Sequence, residues 1–274
     1  MGYCRLQEVD LESCRITYAL RKGQTTTQTF TELSALDPND LLPVRLHFVG
    51  EPGQKTRSVR DAARPTNYRG QSSIGGTYWF TRAGRRLPYA SGLERLRLQY
   101  ADLDPSTLGA ATQPFMLIFE HGGKTYRHIP DLFLRRRGQR KLLVDVRPHA
   151  LQDDPRSRLA FQITHEVAEA AGLEYEVWGE PSAVQAYNVR FLSGFRRQPL
   201  GFEAAAPGVL AFALGESLTI AELEAACTTP RHFIRPTLFH LMWRGELRFD
   251  LDRPMSNQTV VLPGPLAPRR AVMS

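Results

Sequence analysis

The stretch that decides the fold is His128-Ile129-Pro130-Asp131-Leu132-Phe133-Leu134, the basic turn Arg135-Arg136-Arg137-Gly138-Gln139-Arg140, and Leu142-Leu143-Val144-Asp145-Val146-Arg147. It reads as two apolar strands joined by a short return, with one acid ahead of the first and another at the far end of the second. Side chains alternate along a strand, so Asp145 and Arg147 share a face while Val144 and Val146 point the other way. The return is short enough to bring Asp131 alongside Asp145. Two acids on neighbouring strands, with a cation two residues past the second, suit divalent-metal and phosphodiester chemistry. A plainer alternative stands beside this: Asp131 begins a strand after Pro130, and Asp145 and Arg147 form a same-face ion pair.

The flanks place this hairpin in an α/β architecture. Upstream, Phe115 to Phe119 is apolar without alternation, as a strand buried on both faces would be. His121-Gly122-Gly123-Lys124 forms a tight hairpin into a strand running from Thr125 to Leu134. Before it, a helix is expected from about Pro88 to Tyr100, with Leu93, Leu96 and Tyr100 as its buried stripe. Glu94 lies at the margin of that stripe and by itself reads as a surface residue paired with Arg97. Downstream, a helix from about Arg156 to Ala171 is closed by Gly172, and Tyr175-Glu176-Val177-Trp178 is the next strand. A strand, a helical crossover and a second strand imply a parallel pair. The expected architecture is therefore a mixed sheet flanked by helices.

The ends of the chain differ in character. Residues 1-76 read as a strand-rich lead-in, with alternating strands at Arg15 to Leu20 and Val44 to Val49, followed by a Gly-, Pro- and Arg-rich arm. That arm carries Arg57, Arg60, Arg64 and Arg69 and reads equally as a phosphate-binding or a solvated loop. Residues 77-197 form the core just described, and 198-208, rich in Ala, Gly and Pro, are expected to be a linker. Residues 209-262 read as two short helices and a β-hairpin. Thr219-Ile220-Ala221-Glu222 is a capping box, a second helix runs from Thr229-Pro230 to Trp243, and the strands are Glu246 to Leu251 and Thr259 to Leu262. This is a winged-helix pattern, with Arg231, His232, Arg235 and His240 on the second helix. Residues 263-274, with three prolines, are expected to be disordered.

Composition bounds the function. The 274 residues carry a net charge of +7, and 42% are hydrophobic, enough for a substantial core. A basic chain favours a polyanionic partner, nucleic acid ahead of a membrane surface. Nearly all of the positive charge is arginine, which grips phosphate bidentately. Cys4, Cys14 and Cys227 make no C-x-x-C pair, which points away from structural zinc and towards a reducing, cytoplasmic setting. No apolar run is long enough for a membrane span, and a soluble protein is expected.

Asp131 and Asp145 are suited to holding magnesium, with manganese able to substitute, and a carboxylate on a nearby helix, Glu94, completes a candidate shell. Arg147 supplies charge but cannot act as a base. Residues from about Tyr68 to Arg197 resemble the TnsA-like endonuclease subunit of heteromeric transposases, a branch of the PD-(D/E)xK nuclease superfamily. The resemblance rests on Tyr89-Ala90-Ser91-Gly92-Leu93-Glu94-Arg95, Gln113-Pro114-Phe115, His128-Ile129-Pro130-Asp131, Val144-Asp145-Val146-Arg147-Pro148, Glu176-Val177-Trp178 and Asn188 to Arg197, in matching order.

The resemblance implies a restriction-endonuclease-like core with a C-terminal winged-helix-like domain, and Glu94, Asp131 and Asp145 as metal-binding acids. It implies nicking of the 5′ ends of a transposable element in double-stranded DNA. The implied partners are an integrase-type, TnsB-like transposase and an AAA+, TnsC-like regulator. The family usually has lysine where Arg147 stands, which leaves a catalytically silent DNA-binding or assembly module as the alternative. Gln162 on the following helix, Arg135, Arg136 and Arg137 in the basic turn, and Arg231 and Arg235 in the tail are the candidate DNA contacts.

Overall fold

A computed structural model of the chain describes residues 11–20, 25–44, 75–215 and 217–268. The expected strand Val44 to Val49 (beyond Val44 itself) and the arm with Arg57, Arg60, Arg64 and Arg69 lie outside the described residues. The chain is mixed α/β with several sheets, and it divides into two units. Unit 1 is Met1–Arg97 with Ser106–Glu180, and unit 2 is Leu98–Pro105 with Pro181–Ser274.

In unit 1 the strands are β1 (Arg15–Leu20), β2 (Thr25–Thr29), β3 (Leu41–Leu42), β4 (Gly76–Phe80) and β5 (Arg85–Tyr89). Helix α1 (Gly92–Leu103) follows and passes into unit 2 at Leu98. Then come β6 (Thr107–Thr112), β7 (Met116–His121), β8 (Lys124–His128), β9 (Leu132–Arg136), β10 (Leu142–Val146), helix α2 (Pro155–Ala170) and β11 (Glu174–Trp178). One sheet has the order β2-β1-β7-β8, with β3 also on β1; a second has the order β11-β10-β9-β6; β4 and β5 pair alone.

The expected strand from Thr125 to Leu134 is two strands in two different sheets. β8 pairs with β7 in the first sheet, and β9 pairs with β10 and β6 in the second. Pro130 falls in the break, where a residue without an N–H cannot continue a ladder. The hairpin at Gly122 and Gly123 forms as expected, both glycines having positive φ (57° and 70°). β10 and β11 are parallel, with Asp145 opposite Val177, and α2 makes the crossover. Asp154 caps α2 by accepting from Ser157 N, and Pro155 occupies its first turn. Ile163, Val167 and Ala168 of α2 share one buried cluster with Ile16, Leu117, Phe119, Phe133 and Leu143 from both large sheets. β10 is buried along Leu142 to Asp145, which explains its unbroken apolar run.

Unit 2 contains α3 (Ala183–Leu192), α4 (Phe202–Ala213), β12 (Leu218–Thr219), α5 (Ile220–Ala226), α6 (Arg231–Arg244), β13 (Leu247–Arg248) and β14 (Val260–Pro263). The strands pair in the order β12-β14-β13. The Thr219–Glu222 capping box is present, and Gly245, at φ 82°, ends α6. Two expectations about the domains fail. Residues 181–197 belong to unit 2, and most of the expected linker 198-208 is the first part of α4, with Ala205, Ala206 and Val209 buried. Alanine is the strongest helix former, so a run that resembles a spacer by composition folds once its small side chains meet a core.

The expected disordered tail also starts too early. Residues 263–268 are described and tied down, Gly264 N donating to Glu246 O at 2.8 Å and Leu266 N to Gly245 O at 2.9 Å. A Cβ at Gly264 would collide with the Gly245 carbonyl oxygen, a backbone atom that cannot swing aside. Gly264→Ala is therefore expected to destabilise unit 2 by about 1–3 kcal/mol. A lowered urea midpoint followed through Trp243 fluorescence would register it, and an unchanged midpoint would contradict the packing.

Candidate active site

The Pro130-Asp131 corner is where the chain leaves one sheet for the other, and it is held from three sides. Gln113 N donates to Asp131 O at 2.8 Å, and Asp131 N donates to Val144 O at 3.0 Å. The Asp131 carboxylate then accepts from Val146 N at 2.8 Å. Asp131 thus grips the residues on either side of Asp145, and the two acids lie at one strand end as expected. Gln113 is a non-glycine residue at φ 49°, and it is buried. A left-handed glutamine costs on the order of 1 kcal/mol and persists where its surroundings over-determine it; here its amide and carbonyl bond Asp131 and Val44.

Asp145 is 2% exposed. Its carboxylate receives His128 Nε2 at 2.9 Å to each oxygen and Tyr175 Oη at 2.6 Å. A carboxylate only accepts, so His128 Nε2 carries the proton in this pair. Burial pushes the Tyr175 phenol far above its usual pKa, and the charge and hydrogen bond of Asp145 and the charge of Asp131 push the same way. The phenol therefore stays a donor. Neither His128 nor Tyr175 stood among the candidate site residues. Only the strand register brings them together: His128 ends β8 two residues before Pro130, and Tyr175 precedes by two the residue opposite Asp145 in the parallel pair.

Arg147 extends the ladder, its N donating to Trp178 O at 2.9 Å, and its carbonyl accepts from Gln152 Nε2. It makes no ion pair among the described residues, and its buried Nε has no hydrogen-bond partner. The Asp145–Arg147 ion pair is therefore not formed; imidazole and phenol take the place of guanidinium. Glu94 is 9% exposed rather than a surface residue. Its amide donates to Ser91 Oγ at 3.1 Å and its carboxylate accepts from Ala90 N at 2.8 Å, a helix-capping arrangement. Arg97, its expected partner, bonds Glu176 at 2.8 Å.

No group of three or more His, Cys, Asp or Glu residues able to hold a metal ion is assembled among the described residues. Asp131 and Asp145 are a pair of carboxylates of the donor type magnesium takes, Asp145 with one acceptor direction on Oδ1 not used by His128 or Tyr175. That ion takes hard oxygen ligands, and commonly one or two carboxylates with the remainder from water and substrate phosphate. Glu94 is not drawn into such a group.

The candidate DNA contacts are mostly spent elsewhere. Arg135 lies 3.7 Å from Asp37 and Arg136 pairs with Glu174. Arg137 is exposed and makes no ion pair among the described residues. Gln162 Nε2 donates to Glu166 at 3.0 Å. In unit 2, Arg231 and Arg235 both grip Glu224, whose side chain is 3% exposed, Arg235 Nη2 at 2.7 Å and Arg231 Nη2 at 2.8 Å. They also line an open cavity of about 860 Å³ together with Tyr187, Phe191 and Phe239.

No protein-family model matches the chain, and no curated protein matches it. Among the described residues no helix is long and apolar enough to cross a membrane.

Burial opposes ionisation of Glu224, but the hydrogen bonds from Arg235 and Arg231 outweigh it and hold the carboxyl below its ordinary pKa of 4.5. A group whose folded pKa is depressed stabilises the fold above its unfolded value, and that stability is lost as pH falls through the folded one. Unit 2 should therefore lose stability on acidification below about pH 4.5. Thermal melts from pH 7 to pH 3 should show this step in the wild type, much reduced in Glu224→Gln. An equal step in both would assign the loss to other groups.

Proposed function

We propose that unit 1 is the catalytic core of a metal-dependent DNA endonuclease of the TnsA-like, PD-(D/E)xK kind, with a restriction-endonuclease-like core and a winged-helix-like second unit. The observation that carries this reading is the hydrogen bond from Val146 N to the Asp131 carboxylate, which sets two acids at one strand end beside an arginine that makes no ion pair among the described residues. Asp131 and Asp145 would hold magnesium, or manganese in its place. A bound divalent cation supplies charge neutralisation on the phosphate and acidifies water. Arg147 offsets charge on the phosphodiester, and a guanidinium, being permanently protonated, moves no proton itself. Glu94 enters the metal set only by resemblance, since its carboxylate caps α1.

In this reading the substrate is double-stranded DNA at the ends of a transposable element, nicked at the 5′ ends. The chain works beside an integrase-type, TnsB-like transposase and an AAA+, TnsC-like regulator. Asp131→Ala is expected to abolish magnesium-dependent nicking of end-bearing DNA in the presence of such partners, while DNA affinity falls less than about threefold. Nicking by the variant at the wild-type rate would refute the site assignment.

A second reading, the catalytically silent DNA-binding or assembly module, is favoured by Arg147 and by the engagement of both Asp145 oxygens with His128 and Tyr175. Arg147→Lys separates the two, because lysine and arginine differ in hydration and geometry as well as sharing a charge. Cleavage by the wild type or the variant, with metal and partners present, supports the nuclease. Absence of cleavage in both, with DNA binding retained, supports the silent module.

A further inference from the structure

The feature of unit 1 that the family resemblance does not assign is the pair of donors on Asp145. They come from strands of two different sheets. His128 is the last residue of β8 in the first sheet, and Tyr175 is on β11 in the second, two residues before Val177, the register partner of Asp145. The imidazole bonds both carboxylate oxygens at 2.9 Å, and the phenol bonds one of them at 2.6 Å. Two donors from two sheets fix both the position and the plane of a carboxylate, which one donor would leave free to rotate. Each carboxylate oxygen has two acceptor directions; Oδ2 takes both the imidazole and the phenol, whereas Oδ1 takes the imidazole alone and keeps one direction open to a further partner.

We infer that His128 and Tyr175 are positioning residues. They clamp the Asp145 carboxylate so that the remaining lone pair of Oδ1 faces a divalent cation held together with Asp131. This rests on the nuclease reading above. A purely structural role would also satisfy a buried carboxylate, but it would make no difference to the affinity of a cation. Groups that hydrogen-bond to a metal-ligating side chain set its orientation, and their loss commonly costs about 10–100-fold in metal affinity.

The test is the binding of Mn²⁺ alone to the full chain, measured by titration calorimetry. Wild type, Tyr175→Phe, His128→Ala and His128→Gln are compared, with circular dichroism melts run alongside. Tyr175→Phe and His128→Ala are expected to bind Mn²⁺ about tenfold more weakly or worse while still melting cooperatively. His128→Gln, which restores an N–H donor, should recover most of the affinity. If wild type binds Mn²⁺ and the two donor-deleting variants bind it equally well, the positioning role is overturned and the nuclease reading stands. If wild type binds no Mn²⁺ while Asp145→Asn leaves its melt and DNA affinity unchanged, the metal-dependent reading fails, and this inference falls with it. Should Tyr175→Phe not fold, His128→Ala against His128→Gln decides the matter alone.

Discussion

Val146 N donates to the Asp131 carboxylate, and the geometry of unit 1 follows from what that bond requires. The Pro130 corner must deliver Asp131 to the end of β10. The chain must therefore quit the first sheet at His128 and enter the second at Leu132. That change of sheet leaves His128 and Asp131 three residues apart in sequence but anchored to different sheets. The parallel pairing of β10 with β11 then fixes Tyr175 on the face of Asp145. Were β8 and β9 one continuous strand, alternation would govern where His128 and Asp131 point, and the two could not be placed independently.

Much of this was legible because it rested on chemistry local in sequence. The Gly122-Gly123 turn, the α2 crossover between parallel strands and the Thr219 capping box each have a short-range cause in glycine conformation, chain length or side-chain hydrogen bonding. The Asp131–Asp145 juxtaposition was legible for the same reason. What was not legible depended on distant partners. Glu94 looked like a surface residue because its i,i+3 neighbour Arg97 is basic; the pairing of Arg97 with Glu176, 79 positions on, is invisible to helical periodicity. The segment 198-208 reads as a spacer because composition does not say that a core waits for Ala205 and Ala206. His128 and Tyr175 escaped notice because their common partner becomes evident only once the sheet change and the strand register are known together.

The arginines carry a related lesson. A net charge of +7 suggests a surface ready for phosphate, yet many of the described guanidiniums serve the fold. Arg85 donates to the carbonyls of Pro38, Asn39 and Ala110. Arg136 closes on Glu174, and Arg231 and Arg235 share Glu224. Arginine suits such roles because its planar fork forms several bonds without reorganising. Long-range attraction to a polyanion survives this, since paired charges still sum to a positive total, but short-range contacts must come from the guanidiniums left over. Arg137 at the basic turn and Arg147 at the end of β10 are two of these.

The position of Arg147 bears on why the acids are arranged as they are. Two carboxylates at one strand end repel, and placing one of them at 2% exposure removes the water that would otherwise screen it. An arginine closed onto Asp145 would offset that repulsion within the protein, and the site would then offer little to a cation. Instead Asp145 takes hydrogen bonds from an imidazole and a phenol, Asp131 takes one from a backbone amide, and the guanidinium keeps an unpartnered Nε. For Asp145, donors of this kind hold the carboxylate in place where a guanidinium would neutralise it. In the proposed nuclease reading, the acids at this strand end would meet a cation and Arg147 an anion, as a metal ion bound to a phosphodiester would present them together.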